Sequence, residues 1–337
     1  THEPLLDVSS FGAGAGAAIR AGAGARAWIG GGGSTTVGLV RRDGLKGTVN
    51  LTVRGLPAGV TAAFAKPSFV GWDVGPTTLA FTVAATATPG TTTIEIVATG
   101  GTGTQLALHA MQLELAADAV DPVAAAVSEA LVAPATVTTS GATVRTRWTA
   151  TDVGVGIARV VLSERRSGGA WVRVASGGPT LTERLARLPF NTLIAHQVVA
   201  FDGVGNNSSP ADGPDITLSQ YSEGTSLATY SGTWRRAYSS SALGGATKYA
   251  TAYGASVTVR FTGRSIGWIS TVAPTRGSAK VYVDGVYKRT VVLTGTTAYR
   301  RLVYAINLPA GPHTLRIVVL GTSGRPRVDV DGFVIVR

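Results

Sequence analysis

Apolar and polar residues alternate with a period of two over much of the chain. Thr48-Val49-Asn50-Leu51-Thr52-Val53 sets Val49, Leu51 and Val53 on one face, the pattern of a strand with one side on a core. Residues 78–84 and 92–98 predict two more strands, separated by Thr88-Pro89-Gly90, and Gly55-Leu56-Pro57-Ala58-Gly59 predicts a turn. The pattern breaks around Asp118-Ala119-Val120-Asp121-Pro122 and resumes at Val144-Arg145-Thr146-Arg147-Trp148-Thr149-Ala150, then at residues 159–162, 170–174 and 196–200. A third set begins near Tyr221. Residues 256–261 point Val257, Val259 and Phe261 inward, and strands follow at 300–306, 314–320 and 327–336. Lys280 to Tyr287 predicts a hairpin, because Asp284-Gly285 supplies the positive φ angles of a two-residue turn. No segment carries an amphipathic helix. Strands about every ten residues with Gly and Pro punctuation predict sandwiches. The fold class is therefore all-β, in three consecutive β-sandwich modules at 1–120, 121–220 and 221–337. The Gly/Ala-rich text from Phe11 to Gly33 reads as a flexible lead or a pair of small-residue strands.

Charge separates the three segments. Residues 1–120 hold seven Lys/Arg and seven Asp/Glu, residues 121–220 eight and eight, and residues 221–337 fifteen and four. The whole +11 excess, and all nine tyrosines, thus belong to the last segment. A cationic surface concentrates anionic partners, and tyrosine adds stiff contact area with a polar tip. Acidic polysaccharide, a teichoic-type polymer, an anionic membrane surface and nucleic acid all carry the complementary charge; a merely solvated face would look the same. Cysteine is absent, which excludes disulfides, thiolate zinc sites and a cysteine nucleophile. No apolar run approaches a membrane span. The chain begins at Thr1, as expected of a processed mature chain or a fragment of something longer.

The third segment resembles a domain at the C-terminus of many secreted bacterial proteins, among them subtilisin-like serine peptidases. Tyr230-Ser231-Gly232-Thr233-Trp234, Phe261-Thr262-Gly263-Arg264-Ser265, Arg276 through Gly285, Gly311-Pro312-His313-Thr314-Leu315 and Arg327 through Phe333 carry the likeness. It implies a galactose-binding-like jelly roll and glycan binding. The second segment resembles a fibronectin-III or immunoglobulin-like bacterial repeat through Trp148-Thr149-Ala150-Thr151-Asp152 and Val199 to Asn206. The first resembles bacterial immunoglobulin-like repeats through Gly55 to Phe64 and Thr88-Pro89-Gly90-Thr91, although its Gly/Ala lead departs from them. No peptidase segment accompanies these, so protease activity is not implied.

Motifs of catalysis fare poorly. Gly263-Arg264-Ser265-Ile266-Gly267 matches the nucleophile-elbow spacing, but that motif needs a strand-to-helix turn. The expectation here is a short turn into a strand ending at Trp268. Gly12-Ala13-Gly14-Ala15-Gly16-Ala17 lacks the acidic residue and helix of a dinucleotide site. His2, His109, His196 and His313 show no ligand spacing and read as surface or strand residues. Asp329 and Asp331 share a strand face; a contribution to a calcium site is conceivable, but pairing with Arg325 or Arg327 is the simpler expectation. No cofactor and no metal are expected.

Sugar recognition needs aromatic rings for C–H faces and polar groups for hydroxyls. Trp234, Tyr238, Arg276, Tyr299 and Arg325 are the candidate ligand-binding residues. Trp268, mid-strand, is expected in the core, as are Trp28, Trp72, Trp148 and Trp171. The sequence thus predicts a non-catalytic extracellular or cell-surface array that binds polysaccharide or an anionic cell-surface polymer through its basic last module. The alternative is a structural subunit of a filament, surface layer or adhesin stalk, joined to its copies by strand addition. Nucleic acid is not the expected partner.

Overall fold

The structure is a computed structural model and describes residues 16–119 and 121–337. It is almost entirely β and divides into two compact units. One holds the described residues up to Val123 with Ala150–Arg159 and Ala200–Ser208; the other holds Ala124–Thr149, Val160–Val199 and Ser209–Arg337. Among the described residues no helix is long and apolar enough to cross a membrane.

The first unit contains β1 (Gly16–Ala21), β2 (Gly24–Trp28), β3 (Gly32–Arg42), β4 (Val49–Arg54), β5 (Val60–Phe64), β6 (Ser68–Phe69), β7 (Thr77–Val83), β8 (Gly90–Gly100) and β9 (Gln105–Ala116). They form two sheets, β1-β3-β7-β5 and β2-β9-β8-β4-β6. Alternate residues of each sheet meet in one core: Val37, Leu39, Leu79 and Phe81 from one, Leu51, Ile94, Ile96 and Leu113 from the other. The Gly/Ala-rich text from Gly16 onward forms β1 and β2, which join different sheets, and the start of β3; the run from Gly12 to Ala15, like His2, lies outside the described residues. Of the tryptophans expected in the core, Trp28 and Trp171 are only half-buried, under Arg26 and Arg165, and Trp72 is 64% exposed. It sits in a turn segment without alternation and packs its ring on the Lys46 ammonium, 5.2 Å away.

The chain continues with β10 (Val123–Leu131), β11 (Ala135–Thr136), β12 (Gly141–Thr151), β13 (Ile157–Arg166), β14 (Val172–Gly177), β15 (Glu183–Pro189), β16 (Leu193–Asp202), β17 (Ala211–Asp212) and β18 (Ile216–Ser222). The remaining strands are β19 (Ala228–Ser231), β20 (Arg235–Tyr238), β21 (Ala246–Ala250), β22 (Ser256–Val272), β23 (Ser278–Val283), β24 (Val286–Val292), β25 (Ala298–Val319), β26 (Val328–Val330) and β27 (Gly332–Val336). In the second unit one long sheet runs β14-β13-β16-β18-β27-β22-β25-β23-β24, faced by the small sheets β10-β12-β15 and β20-β21-β26. The strand β18 is shared: Ile216 and Thr217 pair with β16, and Leu218 to Ser222 pair with β27.

The sharing explains a run with no alternation. Gly332 to Val336 is buried throughout. Phe333 and Ile335 join one core with Val257, Val259, Trp268 and Ile317, while Val334 and Val336 join another with Ile194, Leu218 and Leu302. A strand covered on both faces reads as continuously apolar. Strands 300–306 and 314–320 are parts of one strand, β25, of 22 residues, which pairs with the 17-residue β22 from Val272↔Ala298 to Ser256↔Val318 through three register shifts. The hairpin turn is as expected, with Asp284 at φ 49° and Gly285 at φ 79°.

Ser265 does not follow a turn. It lies inside β22, buried, with its hydroxyl unpartnered. A side chain at Gly263 would strike the Val336 carbonyl, and one at Gly267 would strike Leu302. The motif's glycines thus serve close strand contact, not an elbow.

Candidate functional site

The small sheet β20-β21-β26 places Arg235, Tyr249 and Asp329 in one row. Facing pairs in a sheet share a side. The neighbours of Asp329 in its strand, Val328 and Val330, fill the core, so the carboxylate is carried to the opposite face. It is nevertheless fully buried, because two arginines cover it. Arg327 donates to Oδ1 through Nε at 2.9 Å and Nη2 at 2.6 Å. Arg276 donates through Nε to Oδ2. Thr247 Oγ1 lies 3.5 Å from Oδ1. The Arg327 guanidinium also stands 3.9 Å from the centre of the Tyr249 ring, within cation–π range.

Backbone contacts fix these arginines as well. Arg276 and Arg327 form a parallel bridge, and Gly277 N–H donates to Arg327 O at 2.9 Å. Gly277 has no side chain because Arg325 O occupies the space a Cβ would need. Arg325 therefore lies at the same end of the sandwich as Arg276. The side chains of Arg325 and Arg235 have no ion-pair partner among the described residues, and both are exposed. Tyr253, 79% exposed, packs its backbone on Gly321 at the start of the same loop.

The other candidates lie elsewhere. Trp234 is half-buried and wedged against the core: its Nε1 donates to Ser231 O at 3.1 Å, and its ring meets Tyr230 edge-on at 5.0 Å. Tyr238 is 78% exposed at the far end of β20. Tyr299 is exposed at the start of β25, beside Arg300, which donates to the carbonyls of Ser240, Ser241 and Ala242 in the loop after Tyr238. Tyr238 and Tyr299 thus flank that loop, whereas Arg276 and Arg325 flank Asp329. The expected pairing of Asp329 with Arg327 is present, whereas sequence reasoning missed Tyr249 and Arg235, which only the cross-strand register brings beside Asp329.

The arrangement is chemically specific. One buried carboxylate holds two guanidinium groups, leaving net positive charge with rotamers already fixed. Groups ordered in advance lose little entropy when a ligand binds. Guanidinium edges donate to sugar hydroxyls, carboxylates or sulfates, and the Arg pair offers fork-like geometry to a planar anion.

Asp331 differs from Asp329 although two residues away. It accepts a hydrogen bond from Leu243 N–H at 2.7 Å through Oδ1, and its Oδ2 has no partner. Burial pushes its pKa up to about 6, against the Leu243 hydrogen bond and Arg300, with Glu223 and Asp329 adding repulsion. Its cost to the fold is absent below the ordinary value of 3.8 and complete above about 6. Asp331→Asn should therefore melt close to wild type near pH 4 and be more stable at pH 8, by on the order of 2 kcal/mol. Thermal melts at the two pH values check this.

A second ionic cluster lies inside the β10-to-β18 region. His196 is fully buried; its Nδ1 is 3.2 Å from Glu129 Oε1 and its Nε2 3.3 Å from Glu164 Oε2. Glu164 also receives Arg166 Nε at 2.6 Å and Arg184 Nη1 at 3.4 Å. With an acceptor at each nitrogen the ring is an imidazolium. Among the described residues no group of three His, Cys, Asp or Glu side chains is disposed to hold a metal.

No family model matches the chain. Two proteins of Flavonifractor plautii are similar over part of it. An A type blood alpha-D-galactosamine galactosaminidase is 36% identical over 103 residues, 30% of this chain and 9% of that protein. An A type blood N-acetyl-alpha-D-galactosamine deacetylase is 36% identical over 105 residues, 31% of this chain and 13% of that protein. The matches thus span only a small part of either relative. Among solved structures, fibronectin(III)-like modules of Clostridium thermocellum CbhA align at 16% identity and TM-score 0.21, covering 58% of this chain and 92% of theirs. An exo-beta-1,3-galactanase from Phanerochaete chrysosporium aligns at 10% identity and TM-score 0.28, covering 90% of this chain and 75% of its own.

Proposed function

We propose that the chain is a non-catalytic, extracellular β-sandwich array that binds glycan or an anionic cell-surface polymer through the face around Asp329. The observation that carries the reading is the pair of guanidinium groups fixed on one buried carboxylate, beside Tyr249. The segregation of all excess charge and all tyrosine into residues 221–337 supports it. So does partial similarity to two proteins whose names place them on amino sugars. The matched stretch is a small fraction of each, as expected for an accessory module. A glycan array probed with the whole chain tests the reading. Binding to at least one carbohydrate is expected, weakening with salt as exposed charge is screened; no binding to any neutral or acidic glycan contradicts it.

The second reading is a filament or stalk subunit. The long sheet ends in two open strands, β14 and β24, with Val172, Val286 and Val292 exposed along them. Open edges accept strands from a neighbour. Lys288 and Arg289 are exposed on β24 and work against pairing there. Light scattering over a concentration series separates the readings, since only the filament subunit grows in mass.

A further inference from the structure

At the other end of β23 lies a cleft of about 470 Å³, within the size range of small-ligand sites. The strand β23 has six residues, so this cleft and the Asp329 face are separated by roughly 20 Å. Leu227 and Pro312 give it apolar lining above the buried Phe261, and Arg260 and Arg337 line it too.

The balance of charge in the cleft can be worked out group by group. Asp284 is saturated: its Oδ2 takes His313 Nδ1 at 2.7 Å, and its Oδ1 takes the Thr314 N–H at 2.7 Å and hydroxyl at 3.3 Å. His313 Nε2 lies 2.8 Å from Pro309 O. A carbonyl can only accept, so both ring nitrogens carry protons and the ring is cationic. Its charge cancels that of Asp284. Arg337 donates to Ser219 Oγ at 3.0 Å and Tyr221 Oη at 2.6 Å, both neutral groups. The Arg260 side chain is exposed and has no ion-pair partner among the described residues. The cleft therefore keeps two guanidinium groups without a side-chain counter-charge among the described residues, beside its apolar lining, and the His313 ring lies 5.8 Å from that of the buried Phe261.

We infer that this cleft is a second binding site, for a carboxylated sugar residue of the uronic acid class. A pyranose lays its C–H face on Leu227 and Pro312 while its carboxylate meets Arg260 and Arg337. A neutral sugar leaves both charges unmet, and a flexible acidic peptide has no rigid ring face for the apolar lining. The site stands apart from the Asp329 face and does not depend on it.

Calorimetric titration of the whole chain with tetragalacturonate at low salt tests the inference, with its methyl ester and tetraglutamate as comparisons. Tetragalacturonate should bind, and both comparisons should bind at least roughly tenfold more weakly, the scale of a lost charge-assisted contact. Arg260→Ala should weaken binding by a similar factor and Arg260→Glu further, with melting unchanged because the side chain is exposed. Arg327→Ala, at the opposite end, reports on the Asp329 face and should leave the Arg260-dependent part of the binding in place. The inference is overturned by no binding, by equal affinity for the ester or tetraglutamate, by indifference to Arg260→Ala, or by loss only in Arg327→Ala. That last outcome would assign the uronate to the Asp329 face instead.

Discussion

The His196→Leu chain is expected to lose about 3–5 kcal/mol of stability, the usual consequence of leaving buried charge unpaired. Glu164 retains Arg166 and Arg184, but Glu129 loses the one side-chain donor it has among the described residues, and its Oε2 already lacks one. His196→Gln restores one donor and should recover part of the loss. The cluster also sets a pH window. Burial opposes the charge on His196, but hydrogen bonds to Glu129 and Glu164 and their attraction outweigh it, so its pKa lies above the ordinary 6.5. The hydrogen bond from His196, ahead of the burial penalty and helped by Arg166, draws Glu164 from 4.5 down to about 2. The histidine contribution is complete below 6.5 and fades as pH rises through its raised pKa. The Glu164 contribution is complete above 4.5 and fades as pH falls toward 2. Denaturant melts should therefore show this stabilisation at a maximum between those limits in wild type, and a flatter profile in His196→Leu.

Replacement of Asp329 has the second large effect, on stability and binding together. Asp329→Ala leaves Arg276 and Arg327 facing each other without a counter-charge. Both side chains are only partly exposed, at 16% and 29%. A loss of about 3 kcal/mol is expected, at the low end for a broken ion pair because both arginines can turn toward water. Asp329→Asn keeps an acceptor for Arg327 but not the charge, and should lose about half as much. In both variants the arginines are no longer held in place, so glycan binding should fall even where the fold persists. Melting curves and array signals measured on the same preparations separate the two effects.

What could be read in advance follows a physical boundary. Alternation fixes which way a side chain points within its own strand, so Val257, Val259 and Phe261 were legible, and so was Trp268. Local turn chemistry made Asp284-Gly285 legible too. Partners remote in sequence were not. Arg276 and Asp329 are 53 positions apart and His196 and Glu129 are 67, and no local rule reports such pairing. His196 still left a trace: it shares a strand face with Ile194 and Val198, both fully buried. The doubled burial of β27 was hidden for the opposite reason, since a continuously apolar run gives no face at all. Trp72 misled because ring size suggests a core, whereas its segment has no alternation to point it inward.

The central claim is that the Asp329 face holds carbohydrate by its fixed arginines and Tyr249. Arg327→Ala and Tyr249→Ala probe it most directly, because Arg276 still covers Asp329 in both and the fold should persist. On one glycan array, wild-type signals are predicted to drop roughly tenfold or more in Arg327→Ala and clearly in Tyr249→Ala, with both variants still folded and Arg327→Ala melting lower because it strips two donors from the buried Asp329 carboxylate. Undiminished signals from two folded variants would contradict the account.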